Sequence, residues 1–168
     1  MPVPFIAAAL LAITLIAAFT DARSGLIPNW LTLPALVLAP PTHLVLGGTA
    51  AVLGSVLGCL ICAAIPLFLF RAGAMGGGDV KLFACIGALA GPVLGLELQL
   101  IAYYVLVAVA LVALAWRGEL CAVLRRSWWL VVHRSHRALA DANAFTTFRL
   151  GTPIFIATAL RVAWEALR

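Results

Sequence analysis

The longest uncharged stretch of the chain, residues 30–70, constrains the fold more than any other feature. Its 41 residues include no Asp, Glu, Lys or Arg. A membrane-spanning helix needs about 20 apolar residues, so this stretch is long enough for two spans joined by a turn. Pro40-Pro41-Thr42-His43 and Gly47-Gly48 are both candidate turns, and the sequence does not decide between them.

Apolar residues dominate the rest of the chain as well. Three further runs are nearly uncharged: 4–20, 80–116 and 150–166. The chain is 65% hydrophobic and 10% charged, whereas a soluble domain is about half apolar and a quarter charged. Gly91-Pro92 and Glu97-Leu98-Gln99 bracket a turn that divides the second run into two short spans. The sequence predicts an all-α, polytopic integral membrane protein with about six transmembrane helices in a single domain, residues 1–168.

The positive charges fall in alternate loops between these runs. They are Arg23, then Arg71 and Lys81, then Arg117, Arg125, Arg126, Arg134, Arg137 and Arg149. The positive-inside rule places these loops in the cytoplasm and the N-terminus outside. The net charge of +5 therefore reports orientation, and no nucleic-acid partner is expected.

The polar segment Glu119–Ala140 has a helical pattern, with apolar side chains on one face and arginines and histidines on the other. Such a segment is typical of an amphipathic helix on the anionic cytoplasmic leaflet, in contact with membrane lipids. His133 and His136 have no carboxylate or cysteine at ligand spacing, and Cys59-x-x-Cys62 lies in an apolar run. We therefore predict no metal site, no cofactor and no disulfide framework.

Asp79 stands out because it lies between two long apolar runs. Ionisable residues at membrane depth are rare and are functional candidates by default. Gly76, Gly77 and Gly78 precede it, and three residues without a β-carbon allow a tight turn and a close approach by another chain. Lys81 follows, and the apolar sequence resumes at once, which predicts that a helix starts at or near Asp79.

Asp21 is a second carboxylate in a matching position, at the end of the first apolar run. Arg23 follows it, and Pro28 and Asn29 suit the start of the next helix. The charge pattern places Asp21 on the same side of the membrane as Asp79. Two carboxylates that share a proton and hold a water between them are the catalytic groups of an aspartyl protease.

A purely structural reading of the same residues is also open. In that reading Asp21 ends one helix and pairs with Arg23, while Asp79 is the N-cap of another helix and pairs with Lys81. If the two carboxylates are catalytic, the helix N-terminus and Lys81 favour a charged Asp79 as general base. The C-terminus of the first span then favours a protonated Asp21 as general acid.

Both aspartate segments resemble one known family. Gly76-x-Gly78-Asp79-x-Lys81-Leu82 resembles the G-x-G-D-x-K-L signature of bacterial type IV prepilin peptidases, which are GxGD aspartyl proteases. Asp21-x-Arg23 followed by Ile27-Pro28-Asn29 is similar to the family's first aspartate motif. Arg149-Leu150-Gly151-Thr152-Pro153 resembles a weaker form of its closing segment. The resemblance covers most of the chain from Asp21 onward.

The resemblance implies an intramembrane aspartyl endopeptidase of the bacterial inner membrane, with Asp21 and Asp79 as the catalytic pair at the cytoplasmic face. Its substrates would be type IV prepilins and pseudopilins, whose extended backbone the glycines would admit. Longer family members carry an N-terminal insertion with paired C-x-x-C motifs, and nothing comparable precedes Asp21. The chain thus resembles the short, Flp/Tad-type form, and N-methylation is not expected. A non-catalytic pilus-assembly scaffold and a small channel or transporter subunit are the alternatives, and the sequence does not indicate an oligomeric state.

Overall fold

A computed structural model of the chain describes residues 4–73, 75–116, 118, 121–122, 125 and 150–167. These residues form five long helices and no strand, which confirms the all-α class. The helices are α1 (Pro4–Ser24), α2 (Asn29–Arg71), α3 (Gly77–Ala90), α4 (Pro92–Trp116) and α5 (Gly151–Ala166). The amphipathic helix expected over Glu119–Ala140 lies almost entirely outside the described residues and stays a prediction.

The chain divides into two compact units, Met1–Tyr103 with Arg149–Arg168, and Tyr104–Phe148. The first unit contains both candidate catalytic aspartates. The second contains the last part of α4. The single domain expected from the sequence stays a prediction.

Three of the described helices, α1, α2 and α4, are long and apolar enough to cross a membrane. Large apolar side chains are widely exposed on them, for example Val37, Val45 and Phe68 on α2. Extensive apolar exposure of this kind marks a surface that contacts lipid or other apolar partners. Helix α3 has 14 residues and α5 has 16, so the count of about six spans is not confirmed.

Helix α1 continues past the end of its apolar run. The sequence placed Asp21 just beyond the first span, but the helix ends only at Ser24. Gly25 then adopts a left-handed backbone conformation with φ 66°, and its N–H donates to the Asp21 carbonyl oxygen over 2.9 Å. This is the usual glycine termination of a helix, and it places Asp21 in the last turn of α1.

Helix α2 is interrupted at Gly48, whose φ of 70° and ψ of −164° are not helical. Only glycine adopts this conformation without strain, so of the two candidate turns Gly47-Gly48 is the correct one. Pro40 and Pro41 lie inside the helix instead. Residues 29–47 and 49–71 therefore form two arms of one element.

The turn between α3 and α4 is a single residue. Gly91, with φ 80°, separates the two helices, and Pro92 is the first residue of α4. The prediction that this turn extends to Glu97-Leu98-Gln99 is wrong, since all three residues are helical. Glu97 pairs with Arg161 on α5, and Gln99 Nε2 donates to the Tyr103 hydroxyl, while Gln99 Oε1 is buried without a hydrogen-bond partner among the described residues.

Helix α3 is held against α2 by close backbone contact and by two polar contacts. Gly58 and Gly87 bring the two helix backbones together, because a β-carbon on either would overlap the carbonyl oxygen of the other. Ser55 Oγ donates to the Ala88 carbonyl oxygen over 2.7 Å, and His43 Nε2 donates to that of Leu89 over 3.0 Å. These carbonyls belong to the last turn of α3, where no intrahelical donor remains for them.

This close contact predicts that Gly87→Ala destabilises the protein. The added β-carbon would lie 2.7 Å from Cys62 Cβ as well as overlapping the Gly58 carbonyl, and overpacking of this kind costs about 1–3 kcal/mol. Gly54→Ala is the matched control, because a β-carbon at Gly54 has nothing within 4 Å. Thermal unfolding in detergent should show a lower Tm for Gly87→Ala only. Equal Tm values for the two variants would contradict the packing described here.

Candidate active site

Asp21 is almost completely buried, with 6% of its surface exposed. Its side chain leaves the last turn of α1 towards the start of α5. There Asp21 Oδ2 accepts a hydrogen bond of 3.0 Å from the backbone N–H of Gly151. The carboxylate is therefore fixed by a residue that lies 130 positions away in the sequence.

Asp79 lies in the first turn of α3, two residues after the helix begins. The N-cap of α3 is Gly76, so the expectation that Asp79 itself caps the helix is wrong. The carboxylate instead accepts a hydrogen bond from the Gly76 backbone. A side chain at the third helical position that bonds back to the N-cap backbone is one half of a capping box.

The two carboxylates line one cavity of about 680 Å³. It is formed by the end of α1, the loop that leads into α2, and the start of α3. Its other lining residues are Thr20, Ser24, Gly25, Leu26, Ile27, Pro28, Asn29, Trp30, Gly76, Gly77, Gly78 and Lys81. The cavity is within the size range of ligand sites in proteins. The structure thus brings together every site residue expected from the sequence except Arg23.

The three glycines before Asp79 make room for the chain itself. A β-carbon on Gly78 would lie 3.1 Å from Ile27 Cβ, and one on Gly76 would lie 3.3 Å from Asp79 Oδ2. A β-carbon on Gly77 would make only ordinary contact with Phe70. Gly78 therefore allows the loop after α1 to approach the start of α3, which brings the two aspartate segments together.

The basic neighbours of the two aspartates have other partners. Lys81 Nζ donates to Asn29 Oδ1 over 2.8 Å, and the Arg23 guanidinium lies 4.4 Å from the centre of the Phe19 ring. The salt bridges among the described residues join Arg161 to Glu97 and Glu165, away from this cavity. The expected pairings of Asp21 with Arg23 and of Asp79 with Lys81 are therefore not formed.

Burial raises the pKa of the Asp79 carboxyl from its usual 3.8 to about 6, and the charge of Asp21 adds to the increase. The hydrogen bond from Gly76 opposes this shift without cancelling it. The sequence predicted the opposite, a charged Asp79 stabilised by the helix N-terminus and Lys81. That prediction is wrong, because Lys81 is bonded to Asn29 and because a carboxylate removed from water favours its neutral form.

Gly151 is the site residue that the sequence did not identify. The segment Arg149-Leu150-Gly151-Thr152-Pro153 resembled a family motif, but nothing in it indicated a contact with Asp21. The glycine itself was the available signal. A β-carbon there would lie 2.9 Å from Asp21 Cβ and 3.0 Å from Ala18 Cα. Within the described residues, no three His, Cys, Asp or Glu side chains lie together as a metal site would require.

Asp21, which is buried, and Asp79, which is half-buried, line one cavity in a protein built from apolar helices. Two carboxylates placed in this way can serve as a general acid and a general base in hydrolysis. A sequence model of the type IV leader peptidase family matches residues 8–116. The chain belongs to that family of proteases. No curated protein and no solved structure matches the chain.

The raised pKa of Asp79 predicts a pH-dependent effect of Asp79→Asn on stability. The folded protein binds this proton more tightly than the unfolded chain, so wild-type stability should fall as pH rises from about 4 through about 6. Asn does not titrate. The Tm of Asp79→Asn in detergent should therefore exceed that of the wild type at about pH 8, and the difference should shrink towards about pH 4.5. A difference that stays constant across this range would contradict the shift.

Proposed function

We propose that the protein is an aspartyl endopeptidase that removes the leader peptide of type IV prepilins and pseudopilins, with Flp-type prepilins as its substrate class. One observation carries this proposal: Asp21 and Asp79, from separate sequence motifs, line the same cavity in a chain of the leader peptidase family. The positive-inside pattern of the sequence supports an active site at the cytoplasmic face of the bacterial inner membrane.

The electrostatics of the cavity support distinct roles for the two carboxylates. Asp79, whose pKa is raised to about 6, holds the shared proton and acts as the general acid. Asp21 accepts a hydrogen bond from the Gly151 N–H and acts as the general base. Because like charges in close proximity do not both ionise readily, the pair carries one proton in its working state.

In the first step a water molecule attacks the scissile carbonyl carbon. Asp21 takes one proton from the water, while Asp79 gives its proton to the carbonyl oxygen, and a neutral gem-diol forms. In the second step the C–N bond breaks, and the leaving amine takes the proton from Asp21. One hydroxyl of the diol returns a proton to Asp79. The products are a carboxylic acid and an amine, and the pair is again singly protonated.

The remaining cavity groups fit a substrate that lies beside the helices. Lys81 has three N–H donors and uses one of them on Asn29, so it has further donors for a peptide carbonyl. Leu26 and Trp30 line the same cavity, and their side chains are 71% and 66% exposed. They provide an apolar edge suited to the hydrophobic helix that follows a prepilin leader.

Cleavage of a co-expressed Flp-type prepilin tests the proposal directly. We expect the wild type to produce the mass shift of leader removal, and Asp21→Asn and Asp79→Asn to produce none, although both insert into the membrane. Glu97→Gln is the matched control, because Glu97 pairs with Arg161 outside the cavity, and it should cleave normally. Cleavage that survives in both aspartate variants would remove the aspartyl mechanism. No cleavage by the wild type of any prepilin supplied would favour a pilus-assembly scaffold or a channel subunit.

A further inference from the structure

Within the described part of the chain, the only hydrogen bond to the Asp21 side chain comes from the first residue of α5. The backbone N–H of Gly151 donates to Asp21 Oδ2 over 3.0 Å, and the contact is buried. The first N–H groups of a helix have no acceptor within the helix, so this donor is free to serve another group. Residue 151 lies beyond the segment matched by the family, residues 8–116.

The packing of α5 on α1 makes this contact possible. Ala18 and Asp21 are buried on α1, and Gly151 and Ile154 are buried on α5. A β-carbon at position 151 would lie 3.0 Å from both Ala18 Cα and Asp21 Oδ2, and 2.9 Å from Asp21 Cβ. Any larger residue would therefore push the start of α5 away from the carboxylate.

We propose that Gly151 is a positioning residue of the active site, which fixes Asp21 Oδ2 and leaves Oδ1 as the oxygen that takes the proton from water. A backbone N–H only donates, so the oxygen that it contacts must supply a lone pair. The proton that Asp21 gains during catalysis therefore resides on Oδ1. The positive end of the α5 helix also stabilises the negative charge that Asp21 needs as a base. This inference rests on the proposed function.

The other charged groups around Asp21 are few. From α3, Asp79 and Lys81 face the same cavity, and Lys81 donates to Asn29. On α1, Arg23 lies over Phe19. The cavity-lining residues of α2 and of the loop before it carry no ionisable side chain. On α5, Arg161 and Glu165 pair with each other, and Arg161 also pairs with Glu97.

NMR of the full-length protein labelled with ¹⁵N-glycine in micelles tests the contact without any assay of activity. Carbonyl-¹³C labelling of leucine restricts the candidate signals to glycines that follow a leucine, as Gly151 follows Leu150. The chemical shift of one such amide proton should change with pH in the wild type and in Asp79→Asn, because a nearby carboxylate changes charge. This pH dependence of the chemical shift should disappear in Asp21→Asn. A Gly151 amide that does not respond to pH, or that still titrates in Asp21→Asn, would overturn the assignment.

Kinetics of Gly151→Ala tests the consequence for catalysis. Loss of a hydrogen bond to a charged group should lower kcat by about tenfold or more, with little change in KM. The pH profile of kcat/KM should also change, because an N–H that donates to a carboxylate favours its charged form. Gly54→Ala, which adds a methyl group with nothing within 4 Å, should change neither quantity.

The role of Gly151 and the proposed function are tested by different outcomes. If both aspartate variants are inactive while Gly151→Ala keeps the wild-type kcat and pH profile, the role of Gly151 is wrong and the proposed function stands. If both aspartate variants still cleave prepilin, the aspartyl mechanism of the proposed function is wrong. Should Gly151→Ala not fold, the NMR titration of the wild type and Asp21→Asn still decides the contact.

Discussion

The site depends on one electrostatic constraint, the placement of two carboxylates in a shared cavity among apolar helices. Burial and the charge of Asp21 both raise the pKa of Asp79, to about 6, so this carboxyl keeps its proton to a higher pH than an ordinary aspartate does. Neither aspartate side chain has a basic partner among the described residues. Lys81 donates to Asn29, and Arg23 lies over the Phe19 ring. A salt bridge would favour the charged form of the carboxylate and lower its pKa, and an ionised carboxylate has no proton to donate.

The surrounding structure maintains this placement through backbone contacts. At one end of α3, Gly78 allows the loop at Ile27 to approach, and Gly76 provides a hydrogen bond to Asp79. At the other end, Ser55 and His43 bond to the last carbonyls of α3, which links that helix to both arms of α2. The position of Asp79 relative to Asp21 is thus determined by main-chain geometry more than by side-chain ion pairs.

The sequence predicted most of the helices and indicated both aspartates as candidate site residues, because apolar runs and glycine motifs are local signals. It did not predict that α1 extends through Asp21 or that one glycine suffices between α3 and α4, since caps and turns decide helix ends. The protonation preference of Asp79 was predicted wrongly, because it depends on burial and on where Lys81 points. The hydrogen bond from Gly151 to Asp21 was not predicted either, because it joins residues 130 positions apart.

The pH dependence of kcat/KM for prepilin cleavage by the wild type tests the central claim, that Asp21 and Asp79 act as one acid–base pair. This quantity reports the acid and the base of the free enzyme. If the two carboxylates act as such a pair, the profile is bell-shaped, and its alkaline limb has its midpoint near the Asp79 pKa of about 6. A rate that stays constant from acidic to alkaline pH would contradict it, because a pair that exchanges protons with water and substrate cannot work in every protonation state.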